Sequence, residues 1–188
     1  MPGPAAAPAA GLAGCAMTPL FVTERLQARH LGAADVDAMV GVYGDADAMR
    51  FVGEGRALAR SECEHWVDVT RGNIERRGYG MLALESRAEA RVIGFCGIVH
   101  PGGQVEAEVK YALHRDVWGR GYATEAVRGL IDWGHRVHRI ERLIATVAAG
   151  NEASQQVLRK AGFATGPLRD NPDGTQTQLF HWPPGSTA

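Results

Sequence analysis

The feature that most constrains this chain is a change of hydrophobic period at two glycines. Upstream, "VEAEVKYAL" (105–113) alternates: Val105, Ala107, Val109, Tyr111 and Leu113 share one face, and Glu106, Glu108 and Lys110 share the other. That is the period of a strand with one buried side. Downstream, Ala123, Ala126, Val127, Leu130, Ile131 and Val137 recur at helical spacing. Between the two runs "VWGRGYATEA" (117–126), with Gly119 and Gly121 placed where the helix is about to start. The first amides of a helix have no internal partner and point at that gap. Glycines leave room for another group to approach the backbone. An anion is the natural occupant. A tight strand-to-helix turn with no ligand is the alternative.

The remaining elements fit around this unit. "LFVTERLQARHL" (20–31) predicts a strand over Leu26 to His30. Asp35 opens a helix carrying Val36, Met39, Val40 and Tyr43. A second helix starts at Arg60, with Ser61 as N-cap and Glu64 completing a capping box, and ends at Gly78. "YGMLALES" (79–86) and "RVIGFCGIV" (91–99) read as strands, the latter buried on both faces. "ERLIATVA" (141–148) is the next strand. Asn151 caps a helix that buries Val157, Leu158 and Ala161, and Gly162 closes it. "TQLFHW" (177–182) is the last strand. The expected fold is α/β: one domain with a mixed, mostly antiparallel central sheet and flanking helices. Its one parallel step is the crossover between 105 and 148.

Composition sets the limits. A net charge of −1 exerts no general pull on nucleic acid or an anionic membrane, and neither partner is expected. Cys15, Cys63 and Cys96 include no close pair, so neither a disulfide framework nor a metal cluster is expected, and a reducing cytoplasm fits. Residues 1–16 are Ala/Pro/Gly-rich without a basic start or a long apolar core, and read as a disordered extension, with Met17 an alternative first residue. Residues 17–182 form the domain and 183–188 a frayed tail.

Three phosphate-type motifs compete for the glycine stretch. A P-loop requires a lysine after the glycines, and none follows. A dinucleotide fingerprint requires Gly or Ala where Thr124 stands, and an acid at the end of the next strand, whereas Glu141 stands at its beginning. A diphosphate gripped by backbone amides at the helix start needs neither.

At this point the chain resembles the GNAT superfamily of acetyl-CoA-dependent N-acetyltransferases. Within it, the likeness is to the subgroup that acetylates the N-termini of bacterial ribosomal proteins. "TERLQARHL", "RVIGFCGIV", "AEVKYALHRDVWGRGYATEA" and "NEASQQVLRKAGF" carry the resemblance, in order, from about Thr23 to Trp182. The family's loop pattern, Gln/Arg-x-x-Gly-x-Gly/Ala, fits at Gly121 and Ala123, while its first place holds Trp118. The resemblance implies acetyl-CoA as cosubstrate and no metal. The amides of Gly119, Arg120, Gly121, Tyr122, Ala123 and Thr124 would receive the CoA pyrophosphate, Trp118 would contribute through its backbone, and Thr124 would add its hydroxyl. Tyr111 and Leu113 would line the fork where pantetheine pairs like an added strand. Asn151 and Ser154 match the subgroup's N-x-x-S pattern beside the pantetheine arm.

Acetyl transfer needs a neutral amine, and a carboxylate is the usual means to make one. The resemblance places Glu108 at the acidic position, with Glu106 on the same face as the alternative, and a solvent-facing strand edge as the reading without chemistry. His135 and His138 lack a third ligand and read as a solvated face, and Cys96 reads as core. Many superfamily members carry a tyrosine where this chain has Leu158, so the hydroxyl for the departing sulfur is assigned to Ser154, one turn earlier. A serine bonded back to its own helix is the alternative. The expected activity is direct transfer of acetyl, in a ternary complex, to a primary amine, foremost a protein or peptide N-terminus. Alternatives are a small-molecule amine (polyamine or antibiotic), a non-catalytic acyl-CoA-binding module, and a nucleotide-dependent oxidoreductase. Acceptor loops are expected around 35–75 and 165–176, where Asp35, Asp37, Asp45, Asp47, Glu54 and Glu62 could attract a cationic amine. Monomer and homodimer are equally compatible.

Overall fold

The computed structural model describes residues 18–185. The extension over 1–16, Met17 and the end of the tail, 186–188, lie outside the described residues. The strands are β1 (Phe21–Val22), β2 (Leu26–His30), β3 (Met81–Ser86), β4 (Arg91–Val99), β5 (Glu108–Leu113), β6 (Leu143–Ala148), β7 (Ala164–Asp170) and β8 (Gln176–Trp182). The helices are α1 (Val36–Tyr43), α2 (Ala46–Met49), α3 (Arg60–Arg77), α4 (Tyr122–His138) and α5 (Glu152–Lys160). Among the described residues the strands form one 8-stranded sheet, ordered β1-β2-β3-β4-β5-β6-β8-β7. Every neighbouring pair is antiparallel except β5 with β6.

Each face of the sheet takes its own helices. On one side α4 presses Ala126, Val127, Leu130, Ile131 and Trp133 onto Leu82, Cys96, Ile98 and Val109. On the other, Met39 and Val42 of α1 and Cys63 and Val67 of α3 enclose Ala83 and Phe95. The strand β4 supplies both cores, which is why its sequence is almost continuously apolar. A bulge opposite Leu84 and Glu85 resets its alternation, so that Ile93 and Cys96 serve the same side. Cys63 and Cys96 are buried free thiols, and burial pushes the Cys96 thiol up to about 12.

Several expectations are corrected. The cap of α3 is Ala59, and Glu62 closes back on the Ala59 N–H at 2.8 Å. The alternation over 105–113 overruns the strand: Val105 is 92% exposed and β5 starts at Glu108. Val137 is 61% exposed and does not share the buried stripe of α4. His138 is half-buried rather than solvated, its ring 4.5 Å from that of Trp133 and 5.1 Å from that of Tyr79, and burial lowers its pKa. The strands β1 and β7 and the short α2 are additions to the expected order, and β7 occupies the first half of the 165–176 stretch read as an acceptor loop.

Candidate active site at a strand fork

Parallel pairing of β5 with β6 is confined to one register position, Glu108 opposite Ile144, with the Ile144 N–H donating to the Ala107 carbonyl at 2.9 Å. No backbone pairing continues toward Leu113 and Ala148. The two strands therefore form a fork with Glu108 at its apex. Two consecutive strands left unpaired inside a sheet expose backbone donors and acceptors, which an extended ligand can use.

The Glu108 side chain is buried and held on all sides. Its Oε1 accepts from the Thr146 N–H at 3.2 Å and from the Thr146 hydroxyl, and pairs with Lys110 Nζ at 2.5 Å. Its Oε2 accepts from Gln104 Nε2 at 3.1 Å and keeps a second lone pair. Lys110 also donates to Thr146 Oγ1 at 3.1 Å. The cluster lies on the α1/α3 side of the sheet, since Leu143, Ala145 and Val147 turn the opposite way into the α4 core. Glu106, weighed as an alternative acid, lies outside β5 and is exposed.

Tyr111 and Ser154 meet across the open part of the fork. The two hydroxyls are 2.6 Å apart, and the Tyr111 hydroxyl also reaches the Ser154 carbonyl at 3.2 Å. Burial pushes the Tyr111 phenol up to about 12, with the Ser154 bond opposing it. A phenol in that state stays protonated at working pH and keeps its O–H as a donor. Asn151 caps α5, its Oδ1 accepting from the Ser154 N–H at 3.1 Å. Leu158 is fully buried and belongs to the core.

At the open end of the fork, β5 leads through a short turn into the glycine stretch. Gly119 (φ 74) and Gly121 (φ 80) are both left-handed, a conformation that a side chain would strain. Gly121 is the N-cap of α4. Among the described residues, none of the backbone N–H groups from Gly119 to Thr124 has a hydrogen-bond acceptor, and the stretch is exposed or half-buried. These donors and the positive end of the α4 dipole make an anion cradle. The Trp118 indole N–H donates to the Leu113 carbonyl at 2.8 Å and ties the loop to the end of β5.

The structure thus brings together Glu108, Tyr111, Leu113, Trp118, Asn151, Ser154 and the Gly119–Thr124 backbone. It also shows residues that sequence reasoning passed over: Gln104, Lys110 and Thr146 around the carboxylate, and Arg25, whose Nη1 reaches the Arg120 carbonyl at 2.9 Å. The six acids singled out in the expected acceptor loops are each engaged by an arginine: Asp35 by Arg29, Asp37 by Arg60, Asp45 and Asp47 by Arg115, Glu54 and Glu62 by Arg56. Among the described residues, no group of three or more His, Cys, Asp or Glu is placed to hold a metal ion, and no helix is long and apolar enough to cross a membrane.

The chain is similar to known proteins in sequence and in fold. The family described as Acetyltransferase (GNAT) domain matches residues 25–164. The uncharacterized N-acetyltransferase p20 of Bacillus licheniformis is 30% identical over 161 residues, covering 79% of this chain and 84% of that protein. The uncharacterized protein YkkB of Bacillus subtilis (strain 168) is 28% identical over 146 residues, covering 76% and 84%. Among solved structures, an acetyltransferase (GNAT family) from Bacillus anthracis superposes with a TM-score of 0.75 at 19% identity, over 86% of this chain and 96% of that one. RimL, a ribosomal L7/L12 alpha-N-protein acetyltransferase in complex with coenzyme A, superposes with a TM-score of 0.74 at 18% identity, over 87% and 97%.

Proposed function

The chain belongs to the GNAT acetyltransferase family, and from that premise we propose that it transfers acetyl from acetyl-CoA to the α-amine of a protein or peptide, by direct attack in a ternary complex. The observation that carries this reading is the fork itself. An unpaired strand edge for pantetheine runs from an anion cradle to a carboxylate at the apex. The CoA pyrophosphate sits on the Gly119–Thr124 amides, and the thioester lies beside the hydrogen-bonded hydroxyls of Tyr111 and Ser154. The amine approaches from the α1/α3 side, where Glu108 Oε2 keeps its lone pair. As nitrogen attacks the carbonyl carbon, its proton passes to Glu108, and the tetrahedral intermediate collapses by breaking the carbon–sulfur bond. Among the described residues the two thiols, Cys63 and Cys96, are buried and do not compete as nucleophiles.

Two features favour an α-amine. A carboxylate that already accepts bonds from Lys110, Thr146 and Gln104 is suited to an amine that is partly neutral at the outset. Roughly a tenth of α-amines are neutral at pH 7, against about one in two thousand lysine side chains. A polyamine would be held by a row of uncommitted carboxylates, and the acids over 35–62 singled out on the acceptor side are paired with arginines. RimL, whose fold this chain shares, acts on a protein α-amine. The test is mass spectrometry of a peptide library and spermidine after incubation with acetyl-CoA and the protein. Acetyl on peptide α-amines is the expected result. Acetyl confined to lysine side chains or to spermidine would overturn the acceptor assignment.

The hydroxyl pair gives a second expectation. Tyr111 or Ser154 donates to the departing sulfur, and each orients the other. Tyr111→Phe and Ser154→Ala should each lower kcat about 10- to 100-fold, the scale of one transition-state hydrogen bond. The double variant should be little worse than either single one, because groups acting as a unit do not add. Additive losses in this cycle would show that the two hydroxyls act separately.

A further inference from the structure

Arg25, in the turn between β1 and β2, is 100 residues from Glu125 in sequence and binds it through both backbone and side chain. Its N–H donates to Glu125 Oε1 at 2.8 Å and its Nε to Glu125 Oε2 at 2.7 Å. The Thr23 hydroxyl adds a bond to Oε1 at 2.6 Å. Nη1 reaches the carbonyl of Arg120 at 2.9 Å, and the guanidinium carbon lies 4.5 Å from the centre of the Tyr122 ring. Three residues of the glycine stretch and the first turn of α4 are thereby fastened to the turn of the fold's first hairpin.

One nitrogen is left over. Nη2 of Arg25 has no acceptor among the described residues, and it stands 3.5 Å from the point where a Cβ on Gly121 would be. It therefore overlooks the same ground as the Gly119–Thr124 amides. Glu125 presents a difficulty there. Burial works against its ionisation, but the bonds from Thr23 and Arg25 outweigh it and hold the carboxyl below the usual range, so it is anionic. An anion in the first turn of α4 would repel a diphosphate a few ångströms away, and the Arg25 charge cancels it.

We infer that Arg25 is a ligand of the CoA diphosphate as well as the brace of the loop that receives it. Nη2 donates to a phosphate oxygen, while Nε and Nη1 keep Glu125 and the Arg120 carbonyl in place. A guanidinium suits this double task because its donors fan out in one rigid plane. The inference rests on the reading of the glycine stretch as a diphosphate cradle.

Steady-state kinetics with two acetyl donors separates the possibilities. Acetyl-CoA carries the diphosphate, and S-acetylpantetheine carries no phosphate. Arg25→Gln should raise KM for acetyl-CoA about 10- to 100-fold, as expected for one charge-assisted hydrogen bond, with kcat within about twofold and KM for S-acetylpantetheine unchanged. Arg25→Lys restores the charge but not the planar fork, and should give a smaller rise, about three- to tenfold, again for acetyl-CoA alone. It carries the test if Arg25→Gln does not fold. Equal rises for both donors would mean that Arg25 supports the fork as a whole and not the diphosphate site, and no rise would mean that Nη2 does not meet the ligand. Either result overturns the inference. Wild-type protein that shows no preference for acetyl-CoA over S-acetylpantetheine would overturn the diphosphate cradle itself.

Discussion

Gly121→Val is expected to weaken acetyl-CoA binding by at least about a hundredfold, measured by titration calorimetry, in a protein that still folds. Two effects act together. Gly121 is left-handed (φ 80, ψ 1) at the N-cap of α4, and a β-branched residue there costs on the order of 1–3 kcal/mol of backbone strain. A domain of this size has about 5–15 kcal/mol to lose, so the strain lowers the melting point by several degrees without unfolding it, at about 2–4 °C per kcal/mol. The larger effect is on the ligand. The branched side chain projects from the backbone toward Arg25 Nη2, where the diphosphate should lie. It also tilts amides that must converge on one anion. Gly121→Ala separates the two, since it carries most of the strain with less of the bulk, and its affinity should fall between wild type and Val. Wild-type affinity in Gly121→Val would show that the ligand does not approach this backbone.

The glycine stretch was legible in the sequence because everything about it is local. The period changes across a few residues, left-handed positions call for glycine, and a helix start leaves its own amides unpaired. Asn151 was legible for the same reason: an N-cap acts on an amide three residues away. The strand β7 was not. It is an edge strand that is mostly exposed, with Pro167 inside a register shift between Thr165 and Leu168, so it shows neither alternation nor an apolar run. The two glutamates of "VEAEV" show a different limit. Alternation puts Glu106 and Glu108 on one face, but where the strand begins is decided by its neighbours. Pairing with β4 starts with Val99 opposite Glu108, and Glu106 is left in the preceding turn. The surroundings of the carboxylate are non-local altogether. Thr146 is 38 residues from Glu108, and the Arg25–Glu125 contact spans 100. No pattern in the chain pairs residues at such distances.

Glu108→Gln is expected to lower kcat about 10²- to 10⁴-fold while leaving acetyl-CoA affinity close to wild type, the range of lost general-base catalysis. The substitution keeps the size of the side chain but makes one of its two oxygens an NH₂ group. If that group takes the place of Oε2, it faces the Gln104 amide donor and has no lone pair for the amine proton. If it takes the place of Oε1, it faces the donors of Lys110 and Thr146. Either way the ion pair with Lys110 is lost at the apex of the fork, so a loss of position must be told apart from a loss of basicity. The pH profile does this. A protonated α-amine cannot attack, and its neutral fraction grows as pH rises through about 7.7–8.0. If Glu108 accepts that proton, wild type and variant should converge as pH passes 8, because the solvent then does more of the deprotonation. Lys110→Met complements the test by removing the ammonium while the carboxylate remains. It should leave most of the wild-type rate if the carboxylate's own proton chemistry is what matters. A Glu108→Gln deficit that is constant from pH 6 to pH 9, with Lys110→Met equally slow, would assign Glu108 to holding β5 against β6 at the point where the fork opens.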